Sequence, residues 1–200
     1  MPIGQAKFGL LGTGTTPEEA GLTLINYQSV SSVTSVSFDS IDEDIYNHHL
    51  LTWTDIDTGI RDSANYWYMR LKVGGSSQTS TYINYGIALR WGSNSSQSYK
   101  VLDQVRNTDN RLYLAYANRG WGDNVSSIDS SLNGYAQIMY AGNSNYNTGI
   151  HTQAIGQSYA TGSQPYTGTM QYRSKNVVDG LYIYMSGYSF SGKLALYGYN

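Results

Sequence analysis

Gly180-Leu181-Tyr182-Ile183-Tyr184-Met185 and Phe190-Ser191-Gly192-Lys193-Leu194-Ala195-Leu196-Tyr197-Gly198-Tyr199-Asn200 are two alternating apolar runs joined by a polar Gly/Ser turn. Alternation with period two marks half-buried antiparallel strands. Leu194 and Leu196 are therefore expected to face a core, while Lys193, Ala195 and Tyr197 face outward or toward another sheet. The second run reaches Asn200, which predicts that the sheet closes there.

The same signal recurs upstream. Leu22 to Val30, Ser32 to Ser40 and Leu50 to Ile56 read as strands, with Val36 and Phe38 on one face of the second and serines on the other. Trp67, Met69, Leu71 and Val73 alternate with Tyr68, Arg70 and Lys72, a strand with one wet face. Further alternation runs through Tyr85 to Trp91, Leu112 to Tyr116 and Ala136 to Tyr140, with weaker signals at Ile150 to Ala154 and Thr167 to Tyr172. Long Gly/Asn/Ser loops separate them, and no helix-period segment exceeds one turn. This pattern predicts an all-β, antiparallel two-sheet sandwich, jelly-roll-like, occupying residues 21–200 as a single domain.

Residues 1–20 read as an extended N-terminal arm. Phe8, Leu10 and Leu11 are apolar anchors on a glycine-rich stretch, and Thr16-Pro17-Glu18-Glu19 is a capping box that supports a single helical turn before Gly21. Such an arm cannot bury its anchors alone, so it either folds onto its own domain or docks on a neighbouring subunit. The opening stretch is too short and too interrupted by glycine for a signal peptide or a membrane span. The sequence thus predicts synthesis in a cytoplasm, with any external location reached by assembly, as in a virus particle released by lysis.

Composition narrows the function. Charged residues are 13% of the chain, about half the usual proportion, and the formal charge of −2 is spread without a basic run. Phosphate-driven nucleic-acid binding is not expected, nor is a membrane partner. The chain has no cysteine, which excludes disulfides, thiolate metal sites and cysteine nucleophiles. Twenty tyrosines and 22 glycines, with abundant Ser, Thr and Asn, suit a rigid hydrogen-bonding recognition surface.

Motifs for chemistry are weak. Asp39, Asp42, Glu43 and Asp44, and then Asp55, Asp57 and Asp62, are acidic clusters, but they lack the spacing of an EF-hand and read as solvated turns. His48 and His49 are adjacent, so on a strand they point to opposite faces and cannot chelate one ion. No Gly-x-Ser-x-Gly elbow or complete dinucleotide loop is present. The expectation is no catalytic residue, no metal and no cofactor. Of the four tryptophans, Trp53, Trp67 and Trp91 lie on the apolar phase of strands and are expected in the core. Trp121 sits in the loop Asn118-Arg119-Gly120-Trp121-Gly122-Asp123, where with Tyr116 and Tyr146 it either stacks on a sugar or protein partner or packs back over the sandwich.

Val33-Thr34-Ser35-Val36-Ser37-Phe38-Asp39-Ser40-Ile41 followed by Tyr46-Asn47-His48-His49-Leu50 resembles a pattern of tailed-bacteriophage structural proteins. The opening Met1-Pro2-Ile3-Gly4-Gln5-Ala6-Lys7-Phe8-Gly9 and the closing Ser191-Gly192-Lys193-Leu194-Ala195-Leu196-Tyr197-Gly198 resemble the ends of the same proteins. The resemblance implies a β-sandwich located in the virion and no catalytic residues. The resemblance leaves capsid or tail open; the first expectation is a surface capsid decoration protein, a homo-oligomer such as a trimer, whose arm bridges neighbouring subunits through Phe8, Leu10 and Leu11. Second is a tail-fibre or adsorption module that binds a host glycan or protein. A carbohydrate-active enzyme comes last.

Overall fold

A computed structural model describes residues 21–57, 65–91, 97–102, 110–117, 131–158 and 162–200. Among these residues thirteen strands follow one another: β1 (Thr23–Val33), β2 (Ser35–Phe38), β3 (His48–Asp57), β4 (Asn65–Val73), β5 (Ser76–Ser77), β6 (Tyr82–Trp91) and β7 (Gln97–Leu102). The chain continues with β8 (Leu112–Ala117), β9 (Ser131–Met139), β10 (Thr148–Ser158), β11 (Gly162–Tyr172), β12 (Gly180–Met185) and β13 (Phe190–Tyr199). No helix occurs among the described residues.

The strands form two antiparallel sheets. The larger runs β1-β13-β3-β9-β10-β11-β6-β7; the smaller runs β2-β12-β4-β5, with β8 also on β4. The smaller sheet draws its strands from separate parts of the chain, whereas β9, β10 and β11 are successive neighbours. The expected two-layer sandwich is therefore what forms, and one hydrophobic cluster takes side chains from both layers.

Alternation decides which side chains enter that cluster. Trp67, Met69 and Leu71 of β4, Leu181, Ile183 and Met185 of β12, and Leu194 and Leu196 of β13 are all buried. Trp53 from the larger sheet meets Trp67 from the smaller edge to face, ring centroids 5.1 Å apart, and Trp67 meets Phe190 at 5.6 Å. Edge-to-face packing of this kind adds about 0.5–1.5 kcal/mol per pair beyond area burial. Trp91 lies in β6 as expected, but its side chain is outside the described residues.

On β6 the inward phase differs from the sequence reading. Tyr82 and Asn84 face the core, and Tyr85 is half exposed on the outer side. The reason is that the inward side chains of this strand make polar ties across the sandwich. The Tyr82 hydroxyl accepts from the Leu71 backbone N–H at 3.0 Å. The Asn84 amide donates to the Arg111 carbonyl at 2.9 Å and accepts from the Tyr113 N–H at 3.3 Å. From β11, next to β6, the Tyr166 hydroxyl donates to the Tyr113 carbonyl at 3.2 Å, and from β10, one strand further, the buried Thr152 hydroxyl donates to the Leu114 carbonyl at 2.8 Å. The edge of β8 that faces away from β4 is thus satisfied by side chains of the larger sheet, as buried backbone groups require.

Tyr140 also departs from expectation. It lies just beyond β9 with φ +63°, left-handed for a non-glycine residue, and its side chain is exposed.

Candidate functional site

The outer face of the smaller sheet concentrates aromatic rings and cations. Strand register sets the rows: Tyr184 of β12 lies opposite Tyr68 of β4, Tyr68 opposite Tyr113 of β8, and Tyr182 opposite Arg70. Because inward residues of these strands are apolar, the intervening positions fall on the outer side, where Tyr68 is itself buried beneath its neighbours and Arg70, Arg111, Tyr113, Tyr182 and Tyr184 are half-buried. Tyr182 stacks on Tyr184 at 5.3 Å, Tyr184 on Tyr68 at 5.3 Å, and Tyr68 meets Tyr113 at 5.5 Å.

Two guanidinium groups lie over this row of rings. Arg70 Cζ sits 5.0 Å from the Tyr184 ring centroid and Arg111 Cζ 4.3 Å from that of Tyr68. Each such contact contributes about 0.5–2 kcal/mol, depending on how far it is desolvated. Arg70 is held further by donating from Nε to the Asn110 carbonyl at 2.9 Å. At the margin of the face Lys72 pairs with Asp39. The side chains are thus fixed before any partner arrives, which lowers the entropy that binding must overcome.

A second aromatic group lies at the end of the larger sheet where β3, β9 and β13 meet. His48 packs against Tyr140 at 5.2 Å and Tyr199 at 5.4 Å, and Tyr140 against Tyr146 at 5.0 Å. Tyr146 is 55% exposed and Ile45, nearby in the chain, 59%. Asn200 closes this corner, accepting from the Asn47 N–H at 3.1 Å and donating to the Ile45 carbonyl at 3.2 Å. On the outer face of β9, β10 and β11 there is also an uncharged depression of about 490 Å³, with Tyr135, Gln153, Ile155 and Pro165 in its walls.

Within the acidic clusters Asp42 forms a turn, and Asp55, at φ +54°, sits at a register shift inside β3. Asp42, at φ +53°, accepts through its carbonyl from the Ile45 and Tyr46 N–H groups, and the Asp55 N–H is capped by the Asn133 side chain at 2.9 Å. Among the described residues no three His, Asp or Glu side chains converge on a point.

His48 and His49 do face opposite ways. His49 is fully buried, its Nε2–H donating to the Ile41 carbonyl at 2.7 Å, while Nδ1 has no partner. Burial pushes the imidazole below the ordinary value of 6.5, assisted by charge on His48 and opposed by the Ile41 carbonyl and Asp42. The unfolded chain therefore binds a proton that the folded chain refuses. Stability from the neutral ring is complete above 6.5 and is lost as the pH falls from there toward the folded value, by up to about 1.4 kcal/mol per pH unit. Urea unfolding at about pH 7.5 and about pH 5 should show a larger loss for the native chain than for His49→Gln, whose amide donates without titrating. Equal losses would contradict it.

Of the docking and loop candidates Phe8, Leu10, Leu11, Tyr116, Trp121 and Tyr146, Tyr146 alone lies with its side chain among the described residues. Tyr116 lies in β8 opposite Tyr66, with its side chain outside the described residues, as are Phe8, Leu10, Leu11 and Trp121 altogether.

No protein-family model, curated protein or solved structure matches this chain.

Tyr68, Tyr113, Tyr182, Tyr184, Arg70 and Arg111 form a group that the sequence did not assemble. Its signal was present in part: Tyr68, Arg70 and Lys72 are the polar phase of β4, and Tyr182 and Tyr184 that of β12.

Proposed function

We propose that this chain is a non-enzymatic virion structural protein of a tailed phage, a capsid decoration protein that works by surface contact. The observation that carries the reading is the pre-stacked tyrosine–arginine face of the smaller sheet. Tyr and Arg are among the residues that dominate protein–protein binding energy, and they do so best when held rigid beside one another. The phage-like segments at 33–50 and 191–198 support a virion setting; they lie on β1 to β3 and β13, the frame of the sandwich. The apolar arm with Phe8, Leu10 and Leu11 remains part of the proposal on sequence grounds.

Peptide mass spectrometry of purified particles from the encoding genome should find the chain in many copies; particles that lack it would end the proposal. Arg70→Ala with Tyr184→Ala should weaken attachment to shells by about 30- to 150-fold, the equivalent of two contacts of 1–1.5 kcal/mol each. Unchanged occupancy with an intact fold would move the contact elsewhere.

An adsorption module is the second reading. It is favoured by the exposed Tyr140 and Tyr146 rings beside His48, an aromatic platform of the kind that stacks on sugar rings. Saturable binding to host cells that Tyr146→Ala abolishes, with particle assembly intact, would select it.

A further inference from the structure

We infer that β1 is a self-pairing strand: two copies of this chain join antiparallel along Asn26–Val30, so that two larger sheets become one. The inference concerns association of the chain with itself and does not depend on the virion reading.

A free sheet edge offers unpaired N–H and C=O groups to any other strand, and proteins guard such edges with charge, proline, brevity, bulges or cover. Among the described residues the other edges all have such a guard. β2 has four residues and β5 two, β7 carries Lys100, and the open side of β8 is met by Asn84, Thr152 and Tyr166.

Edge strand β1 has neither charge, proline nor brevity; its register shifts lie toward its two ends, and among the described residues no strand pairs with its open side. It ends the larger sheet, runs for eleven residues, Thr-Leu-Ile-Asn-Tyr-Gln-Ser-Val-Ser-Ser-Val, and contains no charge and no proline. Register shifts against β13 at Leu24/Asn26 and Val30/Val33 bracket a regular stretch from Asn26 to Val30. This stretch spans about 17 Å at strand rise. The Gln28 amide donates to the Ser37 carbonyl of β2 at 2.8 Å, which holds the middle of the edge against the smaller sheet. Leu24 and Tyr27 beside it are each 53% exposed.

The occupant that fits is a second β1. Antiparallel pairing of identical strands about a two-fold axis places the same neutral residues on both sides, the self-complementarity that two-fold interfaces require. A neutral edge meets no repulsion from its own copy.

Light scattering after gel filtration, at concentrations on the order of tens of micromolar, should give twice the 22.1 kDa chain mass. A mass of one chain, or of three, overturns the inference. Tyr27→Lys and Ser29→Lys, both at exposed positions, set like charges against each other across the axis and should weaken dimerisation at least tenfold, whereas Thr169→Lys on β11 should leave it unchanged. Lysine variants that fold and dimerise as the native chain does also overturn it. If a variant does not fold, hydrogen exchange on the native protein decides: the Asn26–Val30 amides should exchange more slowly as concentration rises, and exchange independent of concentration refutes the pairing.

Discussion

Replacing Trp67 by alanine should cost about 3–5 kcal/mol of folding stability, the range for removing a large buried aromatic. Trp67 is fully buried on β4, and its indole touches Trp53 from the opposite sheet and Phe190 from β13, both edge to face. Alanine would leave a cavity bounded by the Trp53 and Phe190 rings and by the β4 backbone, which its pairing with Met185 and Ala115 holds in place. The Trp67 Nε1 has no acceptor, so Trp67→Phe should recover most of the loss by keeping a ring and discarding an unpaired N–H. Urea denaturation of the two variants measures this. A loss under about 2 kcal/mol for the alanine variant would mean that the aromatic junction is not the centre of the core.

The second large effect is expected at Gly134. This residue of β9 lies opposite Trp53 on β3 and Ala154 on β10. A Cβ there would fall 2.7 Å from Trp53 Cζ2 and 2.8 Å from Ala154 Cα, and against the Gln153 carbonyl. One neighbour is a core ring and the others are backbone, so relief requires moving the tryptophan or parting two central strands. Gly134→Ala should therefore destabilise by about 1–3 kcal/mol, despite the gain of about 0.4–1 kcal/mol from restricting the unfolded chain. In a chain of this size the loss lowers Tm by roughly 2–4 °C per kcal/mol. Combining Gly134→Ala with Trp53→Phe tests the cause: if the indole is the obstacle, the pair should cost less than the sum of the single changes, and strict additivity would place the clash in the backbone.

The sequence was legible wherever inward residues were apolar. β4, β12 and β13 are recognisable because Trp67, Met69, Leu71, Ile183, Leu194 and Leu196 alternate with polar neighbours. β10 and β11 gave weaker signals because some inward positions are Thr148, Thr152 and Gly168; the Thr152 hydroxyl is hydrogen-bonded inside, and Gly168 leaves space for Tyr166. On β6 the apolar phase pointed the wrong way at Tyr85, because Asn84 takes the inward side as a backbone partner for β8. Strand order could not be read at all. The tyrosine–arginine face depends on β12 lying beside β4 and β4 beside β8, pairs separated by more than a hundred residues in one case and by about forty in the other.

The fastening of β8 to the larger sheet makes the two sides of the sandwich unequal under load. On that side Asn84, Thr152 and Tyr166 grip a single strand together, so parting the layers there ruptures several bonds in one step. Where β1 meets β2 the chain itself passes from one layer to the other through Thr34, and the Gln28 amide on Ser37 adds a further tie. A load that parts the layers is carried by covalent backbone at the β1 corner and by hydrogen bonds along β8, so β8 should let go first and the β1 corner should serve as the hinge.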